Sequence, residues 1–327
     1  MEKRIKEYNY CLDFIKGIAC FFVVCMHCEF PGKAGMVVQC MTRFCVPFFF
    51  MVSGYYCFYE NKNDKKSVMN KTKHIAKIIA GAAAVNVVFA IFKGIVGITE
   101  YSVSVKDILR WVFFNKPVIL LSPTWFLFAL LYVYLLYMLV EKFSLYKMAY
   151  VLIPILFLVY VFLAQGLHLL GINVPNYYYK NFLIEGFPFF MLGHYFHYKK
   201  EQINVKNSVL FGVFICTTIL CIVERNLCGR DFGVNICSIP QVAALFLIGI
   251  KNPKWGEGIV QIIGKKYSMF VYVLHPVIWG GMDIIIKYSG IKLSTPVLYI
   301  LPFVTFFCSL IGGVLYIQLV QQLKKKR

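Results

Sequence analysis

Charge is what this chain lacks most. Only 15% of its 327 residues are Asp, Glu, Lys or Arg, and just 15 are acidic, against 60% apolar and 17% aromatic residues. A soluble globular domain needs more polar surface than that, so the composition excludes one and reads as a membrane protein. No polar stretch longer than a loop is left over for a separate soluble domain, and no internal repeat is visible, so residues 1–327 are expected to form a single transmembrane domain. An A-x-A-like cleavage site is also missing after the basic start MEKRIK, so residues 11–29 read as a retained helix and not as a removed signal peptide. The stretch VVCMHCEF offers Cys25, His27 and Cys28 as metal ligands, yet no second Cys-x-x-Cys pair completes a tetrahedral set. Those three positions also point in different directions around a helix, so no metal is expected.

What the chain does have is apolar runs separated by basic clusters. Most of the twelve cysteines lie inside those runs, where they behave as small hydrophobes. A formal charge of +19 would point to nucleic acid in a soluble protein, but clustering between apolar segments fits loops facing anionic lipid, and no nucleic-acid partner is expected. Windows of about 20 residues mark ten spans, at 11–29, 39–59, 76–98, 122–140, 147–166, 181–198, 207–224, 234–250, 267–286 and 295–320. With both termini cytoplasmic, the inner segments hold 23 of the 34 Lys and Arg residues and the outer segments the other 11. The positive-inside rule therefore supports an all-α bundle of about ten transmembrane helices, N-in and C-in. The outer connection 99–121 carries a candidate surface helix, SVKDILRWVFF.

An ionisable group at membrane depth costs several kcal/mol unless paired or wetted, which singles out Asp13, Lys16, His27, Glu29, Arg43, Glu185, His194, His275 and Asp283. Asp13 and Lys16 are three apart and share a helix face, as an ion pair fixing helix entry or as a binding pair. His27 lies 14 residues beyond Asp13, about 21 Å along a helix, so another group must orient its imidazole. After a short connection, Arg43 enters the next span about one turn deep, at the expected depth of His27. A neutral His can take a proton near pH 7 and an Arg is always charged, so the two suit a base and an oxyanion stabiliser; an interfacial His merely wetted at a helix end fits the spacing equally. Pro47, Ser53 and Gly54 in FCVPFFFMVSGYY are compatible with a kink and close helix packing alone. His275 falls mid-span before Pro276, where it serves either an interhelical hydrogen bond or a site.

Taken together, LDFIKGIACFFVVCMH, RFCVPFFFMVSGYY, PTWFLFALLYVYLL, FPFFMLGHYF and GKKYSMFVYVLHPVIW resemble, in order and over nearly the whole chain, the acyltransferase family 3 membrane proteins. That resemblance implies transfer of an acyl group, usually acetyl from acetyl-CoA, to a hydroxyl of a sugar, lipid-linked glycan or related acceptor in the cell membrane and envelope. By the same resemblance His27 is the essential histidine; it would act as general base on the acceptor hydroxyl, with Arg43 or a nearby hydroxyl such as Ser53 or Tyr55 steadying the developing negative charge. The family's Arg-x-x-Arg appears here only as Lys73, His74 and Lys77; Lys73 and Lys77 are the expected contacts of CoA, with Lys16 and Asp13 at the entry motif, where Lys16 replaces an Arg. Lysine keeps the charge but loses the bidentate fork. Glu29, Ser53, Tyr55, Trp125 and His275 complete the expected substrate-binding set. The same pattern also occurs in membrane modules that bind or move small molecules, in amino-acid supply or polysaccharide export, and a transporter would use His27 and Arg43 for recognition instead.

Overall fold

The computed structural model describes residues 8–58, 65–95, 103–117, 121–230 and 232–325; the stretch MEKRIK and most of NKNDKK lie outside them. Among the described residues there is no strand. In chain order the helices are α1 (Tyr10–His27), α2 (Gly32–Met41), α3 (Cys45–Tyr55), α4 (Lys65–Ile95), α5 (Val105–Phe114), α6 (Trp125–Lys142), α7 (Tyr146–Val161), α8 (Leu167–Leu169), α9 (Phe187–Tyr198), α10 (Asn207–Cys228), α11 (Ser238–Lys251), α12 (Ile259–Ile262), α13 (Ser268–Ser289) and α14 (Thr295–Lys325). A 3-10 turn at Thr42–Phe44 joins α2 to α3, and π turns at Phe162–Gly166 and Ile263–Tyr267 join α7 to α8 and α12 to α13.

Among the described residues, eight of the resulting rods are long and apolar enough to cross a membrane, so the protein is an all-α, multi-pass membrane protein. The other two expected spans are shorter helices: a π turn Phe182–Gly186 leading into α9, and the 14-residue α11. Helix ends also overrun the hydropathy windows. α4 begins at Lys65 and the α12–α13 rod at Ile259, well before the expected 76 and 267. Hydropathy marks only the apolar part, whereas the backbone hydrogen-bond ladder continues into the charged flank. α2 likewise starts at Gly32, seven residues before the expected span, because Gly32, Lys33 and Gly35 depress the local hydropathy without stopping the helix. The candidate surface helix is α5, capped by a reciprocal Ser104–Asp107 box. The hydrogen bonds from Ser104 hold the half-buried Asp107 carboxyl below its ordinary range.

The chain packs as two compact units. The first comprises Met1–Cys45, Val205–Val223 and Cys237–Arg327. Here α1 and the α12–α13 rod run side by side at backbone distance. A Cβ on Gly264 would lie 1.8 Å from the Asp13 carbonyl oxygen, and one on Gly17 would lie 2.1 Å from that of Val260. Only glycine permits such an approach, the usual device for packing helices in lipid. Further along, Cys20 Sγ meets the Ser268 carbonyl at 3.8 Å, and Cys20, Val24, Cys28 and Val271 share a core with Leu301 and Phe306 of α14. The Asp13–Gly264 and Cys20–Ser268 contacts make the two rods parallel.

The second unit comprises Val46–Asn204 and Glu224–Ile236. α3 packs on α9 through two reciprocal glycines: a Cβ on Gly54 would lie 1.8 Å from Phe190 O, and one on Gly193 would lie 2.0 Å from Met51 O. α4 buries one stripe, Val68, Thr72, Ile75, Ala82, Asn86 and Ala90. This is the spacing of a single helix face. Asn86, within the span Val68–Ile95, uses both ends of its amide: it donates to Ala82 O and accepts from Leu121 N. Asn181 caps the π turn, accepting from the Leu183 and Ile184 N–H groups and donating to the Tyr177 and Tyr178 carbonyls.

Candidate functional site

The parallel register of the first unit carries α1 out to its last residue, His27, and sets it against the middle of α13. The imidazoles of His27 and His275 lie 5.4 Å apart, centroid to centroid, tilted by 34°. His27 is half-buried, and His275 is fully buried. His275 Nδ1 lies 2.9 Å from the Val271 carbonyl oxygen one turn back. A carbonyl only accepts, so Nδ1 must carry the proton in the neutral ring and Nε2 presents a lone pair. That Nε2 is buried and has no hydrogen-bond partner among the described residues.

Cys25 and Cys28, which flank His27, are buried. Cys28 packs in the core shared by α1, α13 and α14 and receives a weak hydrogen bond from Thr305. Glu29, by contrast, is exposed on the turn between α1 and α2.

Arg43 is buried in the 3-10 turn, where its Nη2 donates to Gln39 Oε1 at 2.9 Å, and Gln39 Nε2 donates to the Cys25 carbonyl at 3.0 Å. The guanidinium is thereby tied through one side chain to the backbone of α1. Because α2 starts early, Arg43 lies eleven residues into the candidate span Gly32–Tyr55, not the expected one turn. Its neighbour Phe44 packs edge-on against Phe22, five residues or about 7 Å back along α1 from His27.

Asp13 and Lys16 form the expected pair at 2.5 Å. Tyr8 also donates to Asp13 and in turn accepts from Gln261 Nε2, while Lys265 lies over the Tyr8 ring. These contacts pin the start of α1 to α12 and the π turn.

Along residues 9–319 the sequence matches the acyltransferase domain family. The chain belongs to acyltransferase family 3. No curated protein and no solved structure matches it. The family region runs through both units, and the remaining expected residues of this membrane acyltransferase lie in the second.

Ser53 donates to the Phe49 carbonyl, bonding back along its own helix. The Tyr55 ring lies 4.3 Å from that of His197, whose Nδ1 bonds the Tyr55 carbonyl. Trp125 is buried, with the Lys180 ammonium 5.0 Å over its ring. Lys73 and Lys77 are exposed, on the side of α4 away from its buried stripe. The lysine that turns inward is Lys71, which bonds the Tyr56 carbonyl and approaches Cys57 Sγ. Its position one residue before buried Thr72 was the available signal, but the buried face of α4 is defined only by its partners.

Sequence reasoning also missed a cavity of about 630 Å³ lined by Phe58, Tyr137, Glu141, Tyr146, Tyr150 and His194, among others. His194 is held on both ring nitrogens, by Tyr137 at 3.0 Å and Tyr150 at 2.9 Å, and stacks on Tyr146.

Proposed function

We propose that the chain is an O-acyltransferase of the cell membrane, moving an acyl group, with acetyl the expected case, from acyl-CoA to a hydroxyl of a sugar, cell-surface glycan or similar acceptor. The observation that carries the proposal is a half-buried histidine at a helix end, set beside a second histidine whose lone pair is unengaged, in a chain of this family. One ring nitrogen of His27 takes the proton of the acceptor hydroxyl as its oxygen bonds to the thioester carbonyl carbon. The carbonyl π electrons move to oxygen, and Arg43 supplies positive charge to steady the tetrahedral oxyanion. Collapse breaks the carbon–sulfur bond, and the proton on His27 passes to the departing thiolate of CoA. With both termini cytoplasmic, Lys73 and Lys77 meet the CoA phosphates as point charges, Lys16 and Asp13 flank the entry, and the thin pantetheine arm reaches toward His27. Glu29, Ser53, Tyr55 and Trp125 are assigned to the acceptor side.

The test is membranes containing the full chain, supplied with isotopically labelled acetyl-CoA, in which label released from envelope glycan by mild alkali reports ester formation. His27→Gln keeps a polar group but cannot take a proton at neutral pH, so ester-linked label should fall about 100-fold to 10,000-fold. Retention of more than about a third of the label would put the base role wrong by that magnitude, and a transport or binding role would take its place.

A further inference from the structure

We infer that His275 is the positioning residue of the proposed transfer: its Nε2 accepts a hydrogen bond from the second ring nitrogen of His27 as that ring becomes charged. The inference rests on the acyl-transfer reading above and answers the question Asp13 could not, namely what orients His27. Three observations carry it.

The first is the orientation of His275. The His275 ring turns back along its own helix to donate Nδ1–H to Val271 O. One ring nitrogen is therefore committed as donor, which fixes the other as acceptor in the neutral ring.

The second is that the acceptor is left over. Nε2 is buried without a hydrogen-bond partner among the described residues, and the residue is 0% exposed. Buried polar atoms are rarely left so unless a substrate or a moving group engages them.

The third is distance. Two imidazoles joined by an N–H to N hydrogen bond of about 2.9 Å have centroids about 5.2 Å apart. The observed separation is 5.4 Å with the rings tilted by 34°, so the two rings are close enough for a rotation of His27 to make the bond. In the transfer the proton from the acceptor hydroxyl lands on one nitrogen of His27. The N–H on the other nitrogen then carries part of the positive charge, and it donates to His275 Nε2. His275 itself gains no proton, and the proton on His27 still leaves with the CoA thiolate.

The experiment measures kcat and the KM for acetyl-CoA of the purified full chain, with envelope glycan as acceptor, for His275→Leu, His275→Gln and His275→Asn beside His27→Gln. A hydrogen bond to a charged group is worth roughly 10- to 150-fold, so His275→Leu should lose that factor in kcat with KM for acetyl-CoA unchanged. Gln reaches the Nε2 position with an oxygen that accepts, and should restore kcat to within about fivefold of wild type on the same hydrogen-bond argument. Asn reaches only the Nδ1 position and should behave as Leu, which keeps the test alive if the Leu variant fails to fold.

Full kcat in His275→Leu or His275→Asn while His27→Gln is dead would overturn the inference and leave the acyl-transfer reading standing. Gln as inactive as Leu would overturn it too, because His275 would then need to titrate or to pack. Activity in His27→Gln would remove the reading beneath both.

Discussion

Replacing Gly54 with alanine tests the closest helix contact in the second unit. The added methyl would sit 1.8 Å from the Phe190 carbonyl oxygen and 2.7 Å from its carbon, where an ordinary contact is 3.4 Å or more, so α3 and α9 must part by about 1.6 Å. The obstructing atoms are helix backbone and cannot swing aside like the end of a side chain. Parting also loosens Phe50, Met51 and Phe190, all fully buried. Overpacking a tight core costs about 1–3 kcal/mol and occasionally more, and a rigid backbone clash belongs at or above the upper end. At about 2 °C per kcal/mol, the melting midpoint in detergent should fall by roughly 6 °C. Gly193→Ala, the reciprocal change, should do the same, since its methyl would meet Met51 O at 2.0 Å. The control is Gly81→Ala on α4, where a Cβ meets nothing within 4 Å. There alanine should be neutral or stabilise by up to about 1 kcal/mol through helix propensity. Melting of Gly54→Ala at the midpoint of Gly81→Ala would refute the claim that backbone contact at this glycine holds α3 on α9.

Two further outcomes follow from positions in the second unit. Changing Lys73 and Lys77 together to Ala should raise the KM for acyl-CoA more than that for the acceptor, and Arg at both should largely preserve activity; equal effects on both substrates would remove these exposed lysines from the donor site. Asn181→Ala removes two bonds accepted from backbone N–H and two donated to carbonyls, and should cost about 1–2 kcal/mol in a detergent melt, with Asn181→Asp recovering the accepted pair; an unchanged midpoint in the Ala variant would discount the cap.

By itself the amino-acid sequence determined that this is a helical membrane protein, because scarce charge and runs of about 20 apolar residues are local properties that leave the backbone no other way to satisfy itself in lipid. Local pattern likewise determined α5, through Ser104, Asp107 and an amphipathic run, and the Asp13–Lys16 pair, through a spacing of three. His27 stood out because an ionisable side chain at the end of an apolar run is conspicuous in one dimension.

Its neighbour did not stand out as a neighbour. His275 is 248 residues away, and no periodicity links two helices that far apart. Their meeting depends on Gly17 and Gly264 letting two backbones touch and so setting the register of α1 on the α12–α13 rod. The structure also decided how far along its helix Arg43 lies, since a helix can start through Gly32 and Lys33 where hydropathy is low. In α4 it selected Lys71 over Lys73 and Lys77 as the inward lysine, because a helix crowded with lysines has no inner face until another helix covers one.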